Sequence, residues 1–365
     1  MSHSAFAIIN ADMGVSDMNK RIISILLTTA VLISGCNAKA SGNVPSSPSE
    51  PTVVTTSVEP EITTTGTEKQ LFEYNPHPHV SFLSGDIPED YWESFNNLSD
   101  ALRKGESTFK CSSEEAYKWC TYWGTLYILM PAASLMIEGE SKDGTVPFEN
   151  GTGRIYYQMP VEDFVARQAE FEKAVMDIIN SCVEKDDTDF EKCLKLYDYI
   201  ESNFIYEDYG VNGNDDSCYY TMMNRKGLCA QLAAVYAHLL LQCGVEAISV
   251  GCYDPSISHS WTYMIIDGKA YHSDPTWALK DTEHTDLLHL YYFLMDESRR
   301  NESCPVKDLQ SLILPNYQES RSNTDFSASD DSLCFPQQAD FDSLDEDKKV
   351  VRYHVTEEIE ELRYN

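Results

Sequence analysis

Gly227 to Trp277 is the stretch that most limits what this chain can become. Within about fifty residues it holds Gly227-Leu228-Cys229, His259-Ser260-Trp261 and Asp274-Pro275-Thr276-Trp277. After Cys229 the apolar residues Leu232, Val235, Leu239 and Leu240 recur at helical spacing, and Gly244 stands where a helix stops. That spacing predicts Cys229 in the first turn of a buried helix. Unpaired N–H groups and the positive dipole end favour a thiolate there. A strand, Ala247 to Cys252, follows, and then a loop with Asp254 and Pro255.

Asp267-Gly268 is a two-residue turn signal between two strand-like runs. With that turn, Ile266 faces Lys269, Trp261 faces Asp274 and His259 faces Thr276. His259 and Asp274 then lie on one face as diagonal neighbours, roughly 7–8 Å apart at the backbone. The register thus sets a carboxylate within reach of an imidazole. Contact between Cys229 and His259 is tertiary and does not follow from it.

Taken in order, the motifs G-x-C, H-x-W, the D-G turn and D-P-T-W resemble the transglutaminase-like superfamily. The resemblance covers Phe190 to Asp296, with a motif core over 188–296, and extends more weakly back to Arg154. It implies an α+β fold with a papain-like core. A mainly antiparallel sheet packs on helices, and the nucleophilic Cys sits at a helix N-terminus. It also implies roles: Cys229 as nucleophile, His259 as general base and then acid, Asp274 as the group that orients the imidazole. Trp261 and Gln231 are candidate cleft residues, and His272 reads as structural. Papain-type enzymes carry a Gln six residues before the Cys. Met223 stands there in this chain, so the Cys229 backbone N–H is the expected oxyanion donor. Singly, each residue has a plainer reading: a buried structural Cys, a satisfied sheet His, an Asp in turn chemistry.

The implied reaction is acyl transfer at amide bonds of peptides or proteins through a Cys thioester. Water as acceptor makes a cysteine peptidase or amidase, the expectation here; a lysine amine makes a cross-linking transglutaminase. The reading from another class is a surface lipoprotein that binds peptides without turnover. No cofactor is expected. No C-x-x-C pair or calcium-type loop occurs, so no metal is expected either.

The chain's 365 residues are not all globular in pattern. Residues 1–17 lack Lys and Arg, which suggests a true start at Met18. Lys20-Arg21 lead into the apolar run Ile22 to Ile33, too short to span a bilayer, and then Ser34-Gly35-Cys36. This resembles a bacterial signal peptide with a lipobox over 1–36. Lipid on Cys36 would anchor the protein at the extracytoplasmic face of the cell membrane. Residues 37–75, rich in Ser, Thr and Pro, read as a disordered tether. Residues 76–300 read as the transglutaminase-like domain, and 301–365 as an acidic C-terminal appendage or tail.

Inside the domain, Tyr91, Trp92, Phe95, Leu98 and Leu102 predict a helix. Leu126–Met130, Arg154–Met159 and Leu288–Met295 read as strands, and Glu138–Gly153 as a surface loop. Thr188-Asp189-Phe190-Glu191 is a capping box. Gly210–Asp216 reads as an open, polar wall of the cleft, and Glu357–Leu362 as a short helix. With 59 Asp and Glu against 27 Lys and Arg, the net charge is −32. A polyanion would be repelled, so nucleic acid is not an expected partner. Eleven cysteines are present. Cys111/Cys120 and Cys182/Cys193 are near enough in sequence to pair, but mostly free thiols are expected.

Overall fold

The computed structural model describes residues 70–140, 144–207, 218–254, 257–281, 287–303, 309–314 and 323–365. The leader with Cys36, residues 37–69 of the tether and the Gly210–Asp216 loop lie outside the described residues.

Residues 71–76, read in part as tether, are fastened by side-chain amides. Asn180 accepts from the Phe72 N–H at 2.7 Å and donates to the Phe72 carbonyl at 3.1 Å. Gln242 does the same at Asn75, at 2.7 and 3.0 Å. Each amide acts as a one-residue strand partner, so the backbone groups of Phe72 and Asn75 are satisfied without a sheet.

Helix α1 (Glu89–Lys104) buries Trp92, Phe95, Leu98 and Leu102, as their spacing predicts. Acidic residues in its first turn and basic ones in its last complement the dipole. It stops at Gly105, whose φ of 70° suits glycine. A Cβ there would also lie 2.7 Å from Val161 Cγ1. Two seven-residue helices follow, Glu114–Cys120 and Trp123–Leu129. The second replaces the strand expected over Leu126–Met130. It is almost wholly buried, and periodicity does not separate a buried helix from a buried strand. The expected loop over Glu138–Gly153 includes the strand Phe148–Glu149, paired with Thr152–Arg154.

Helix α2 (Val161–Cys182) precedes α3 (Asp189–Asn203), and the capping box forms as expected. Thr188 accepts from the Glu191 N–H at 3.3 Å and Glu191 accepts from the Thr188 N–H at 2.7 Å.

Helix α4 (Cys229–Gln242) is the core of the fold: every residue from Gln231 to Gln242 is buried. It packs on strands β1 (Ala247–Asp254) and β2 (Ile257–Ile266). β3 (Lys269–Ser273) completes an antiparallel sheet with β2 in the centre. The fold is therefore mixed helix and sheet, with Cys229 opening the buried helix.

Asp267 and Gly268 have φ of 51° and 75°, the two positive values of a type I′ turn. The expected register holds from Lys269↔Ile266 to Ser273↔Thr262 and stops there. The facing pairs Trp261/Asp274 and His259/Thr276 do not form. Pro275 cannot donate to a ladder, and the chain turns into helix α5 (Pro275–Asp281).

Leu288–Met295 is not a strand but a connector. It makes isolated bridges, Met295 to His272 on β3 and His289 to Asp340. Helix α6 (Glu297–Ser303) follows. The chain closes with an antiparallel meander: β4 (Ala339–Asp345), β5 (Val350–Val355) and β6 (Glu358–Arg363). β6 replaces the short helix expected over Glu357–Leu362. Arg352 donates to Glu361 at 3.0 Å and Tyr353 to Glu360 at 2.9 Å, cross-strand contacts that outweigh the local helical preference.

Cys111, Cys120, Cys182 and Cys193 are free thiols, so neither candidate pair is bonded.

Candidate active site

Each site residue is placed by a distinct local device. Cys229 is the first residue of α4, after Leu228 in an extended conformation. Its backbone N–H is among those an α-helix leaves unpaired. Gly227 makes the approach possible, because a Cβ there would lie 2.8 Å from Thr221 Cγ2. Gln231, a candidate cleft residue, also serves the helix start: its Oε1 accepts from the Leu228 N–H at 3.2 Å.

His259 lies on β2, paired in the ladder with Cys252. Asp274 follows the end of β3 and starts α5. Its Oδ1 accepts from the N–H groups of Thr276, at 3.0 Å, and Trp277, at 3.2 Å, which makes it an N-cap. Pro275 is then the first helical residue, where a missing N–H costs nothing. This explains the Asp-Pro-Thr-Trp sequence physically. The cap uses one carboxylate oxygen, and the other accepts from His259 Nε2 at 2.5 Å.

With Nε2 engaged by Asp274, Nδ1 is the nitrogen left for Cys229, which lies close enough to the ring to help raise its pKa. Burial of the ring opposes its protonation. The Asp274 carboxylate, with a smaller share from Cys229, outweighs this and pushes His259 up to about 10. The imidazole lies between two indoles. Trp261 is 5.8 Å away between ring centroids, and Trp277 meets it edge-on at 5.6 Å. Only 11% of the His259 side chain and 4% of that of Asp274 are exposed, so the pair interacts in a largely dry setting.

Behind this pair lies a set of residues that sequence reading left unconnected. Trp261 Nε1 donates to His272 Nδ1 at 3.0 Å, which places the His272 proton on Nε2. That nitrogen lies 3.5 Å from Glu297, which also pairs with Arg300. Burial pulls the His272 pKa down, so the ring is neutral. Arg300 stands over the Trp261 ring at 5.4 Å. Trp261 is thereby fixed from behind, which holds one wall of the His259 pocket. Only strand alternation could have hinted at His272. Glu297 and Arg300 left no sequence signal.

A thiol opening a buried helix and an imidazole held by a carboxylate on the neighbouring sheet define the papain-like class of cysteine sites. Residues 177–277 match the family model of the transglutaminase-like superfamily, from the end of α2 into α5, and this segment is a transglutaminase-like core. No curated protein matches the chain. Similar solved structures include a Cytophaga hutchinsonii protein provisionally described as a cysteine protease. It is 20% identical over 30% of this chain and 37% of that one, with a TM-score of 0.24. A structure described as a TGase is 17% identical over 33% of this chain and 34% of its own, with a TM-score of 0.26. Legionella pneumophila LapG is 15% identical over 32% and 64%, with a TM-score of 0.22. The chain thus spans less than two thirds of the length of each.

Proposed function

We propose that this protein is a membrane-anchored, extracytoplasmic thiol enzyme that cleaves amide bonds of peptides or proteins through a Cys229 thioester. One observation carries the reading: His259 is held through Nε2 by Asp274, with Cys229 close enough to the ring to affect its charge. Cys229 gives its proton to His259, and its sulfur attacks the substrate carbonyl carbon. The oxyanion forms beside the Cys229 N–H at the helix start. Imidazolium protonates the leaving amine as the C–N bond breaks and a thioester remains. His259 then takes a proton from water, hydroxide attacks the thioester, and acid and thiol are released.

Water is the proposed acceptor because the Gly210–Asp216 sequence is polar and rich in Gly and Asn, which suits a wet cleft. An acidic surface would also keep an incoming lysine amine protonated. The anchoring part rests on Lys20-Arg21, the apolar run and Ile33-Ser34-Gly35-Cys36. Among the described residues, no helix is long and apolar enough to cross a membrane. Incubating the chain with glutamine-containing peptides and a labelled primary amine tests the chemistry. Free acid, ammonia or cleaved peptide should exceed incorporated amine. An excess of incorporated amine would assign a cross-linker; no product, with Cys229 still reactive, would assign a peptide-binding protein.

A further inference from the structure

Glu201 on α3 is a half-buried acid with a shielded carboxyl that the reaction above does not use. α3 packs on both α4 and α5, the helices that open at Cys229 and at Asp274. Neither carboxyl oxygen of Glu201 is exposed or hydrogen-bonded among the described residues. The groups facing it offer no compensation. Asp274 and Asp198 are acids. The hydroxyls of Tyr197 and Tyr236 lie near but are directed elsewhere. Tyr197 donates to the Asp274 backbone carbonyl at 3.5 Å and Tyr236 to that of Cys193 at 2.8 Å. A carboxylate in such a place, with no donor, no cation and a neighbouring anion, is strongly disfavoured against its neutral acid.

We propose that Glu201 is a neutral carboxylic acid stored beside the triad carboxylate, and that its ionisation would set a second anion against Asp274. The proposal rests on the triad reading for its functional meaning. Glu201 acts as a positioning residue: while it is neutral, Asp274 meets His259 without a second anion from Glu201. When it loses its proton to solvent, repulsion acts on the carboxylate that both caps α5 and orients the imidazole. Burial first, then Asp274, then Asp198 raise its pKa well above the ordinary carboxylate range.

Melting curves of the full chain and of Glu201→Gln between pH 4 and pH 9 test this. The folded-state pKa is raised above the unfolded value of about 4.3. The stability gained by holding the proton is therefore fully present below that pH and is lost as pH rises toward the folded value. Gln never ionises. The Tm of the variant relative to the native chain should therefore climb with pH, by roughly 2–4 °C or more between pH 4 and pH 8. A difference that stays constant or falls with pH would show an ionised Glu201 and overturn the proposal. A second measurement needs no substitution. In the native chain, the ¹³C shift of the Glu201 carboxyl should report the acid at pH 7, and the His259 ring ¹⁵N shifts should move when Glu201 titrates. A carboxylate signal at pH 7, or His259 shifts blind to that titration, would overturn it. Both readouts stand apart from turnover, so an unreactive Cys229 would sink the enzyme reading while these data still decide Glu201.

Discussion

Asp274 divides its carboxylate between two tasks, and substitutions can separate them. Oδ1 caps α5, and Oδ2 holds His259. Asn keeps an acceptor for the cap but loses the charge. Asp274→Asn should therefore leave the Tm within a few degrees while cutting turnover on the order of 10⁴-fold. Asp274→Ala removes the cap as well and should cost about 1 kcal/mol more in stability. Paired melting and turnover assays check both, and an Asn variant with full activity would contradict the assignment. His259 adds a pH dependence of its own. Its folded pKa, near 10, lies above the unfolded value of about 6.5. The stability from the His259–Asp274 pair is fully present below pH ~6.5 and is lost as pH rises through about 10. The stability gap between the native chain and His259→Gln should shrink over that window in denaturant titrations.

At the scale of one element, α4 carries a thiol at each end. Cys229 opens the helix, and Cys243 is its C-cap. Burial pushes the Cys243 thiol up to about 12. Cys229 stands at the helix N-terminus with the His259 ring beside it. Iodoacetamide at pH 6, read by peptide mass, should label Cys229 at least about 100-fold faster than Cys243. Equal rates would contradict the assignment of Cys229 as the nucleophile. A second element, α3, joins the meander to the core through Glu191. This carboxylate completes the capping box and accepts from Lys349 at 2.8 Å and from the Tyr364 hydroxyl at 2.6 Å. The Tyr364 ring stacks on Phe190 at 4.3 Å. Burial opposes ionisation of Glu191, but Lys349, Tyr364 and Thr188 together bring its pKa down to about 2. Its stabilising effect is thus present above pH ~4.3 and is lost as pH falls through about 2. Glu191→Ala should lower stability by about 2–4 kcal/mol at pH 7, and by less in acid, in chemical denaturation.

At the scale of the whole molecule, a net charge of −32 would attract cationic chains, and that attraction would weaken with salt. If Cys36 carries lipid, the intact mass of the native protein should correspond to a chain that starts at Cys36 with added acyl groups. Unmodified residues upstream of Cys36 on the mature protein would refute the anchor. One acyl chain binds a membrane only marginally, so more than one is expected.

Several features were legible in the sequence because they are set within a few residues. Asp267-Gly268 fixed the turn, and the turn fixed the register as far as Ser273. Thr188 and Glu191 defined the start of α3, and apolar spacing after Cys229 defined α4. The three motifs in order pointed to the core before any contact was known. Other features depended on packing. Trp123–Leu129 is a helix, and Leu288–Met295 a connector, because of what surrounds them. Residues 71–76 are fastened by Asn180 and Gln242, more than a hundred positions away. The sequence placed Asp274 near His259 by hairpin register, but the structure achieves the contact differently, by ending β3 and starting a capped helix at Asp274. The approach of Cys229 to His259, the His272–Glu297 set behind Trp261, and the shielding of the Glu201 carboxyl beside Asp274 had no local signal at all. Local turns, caps and periodicity follow from neighbouring dihedrals and hydrogen bonds. Which distant side chains meet, and which charges lose their water, is decided only when the helices close on the sheet.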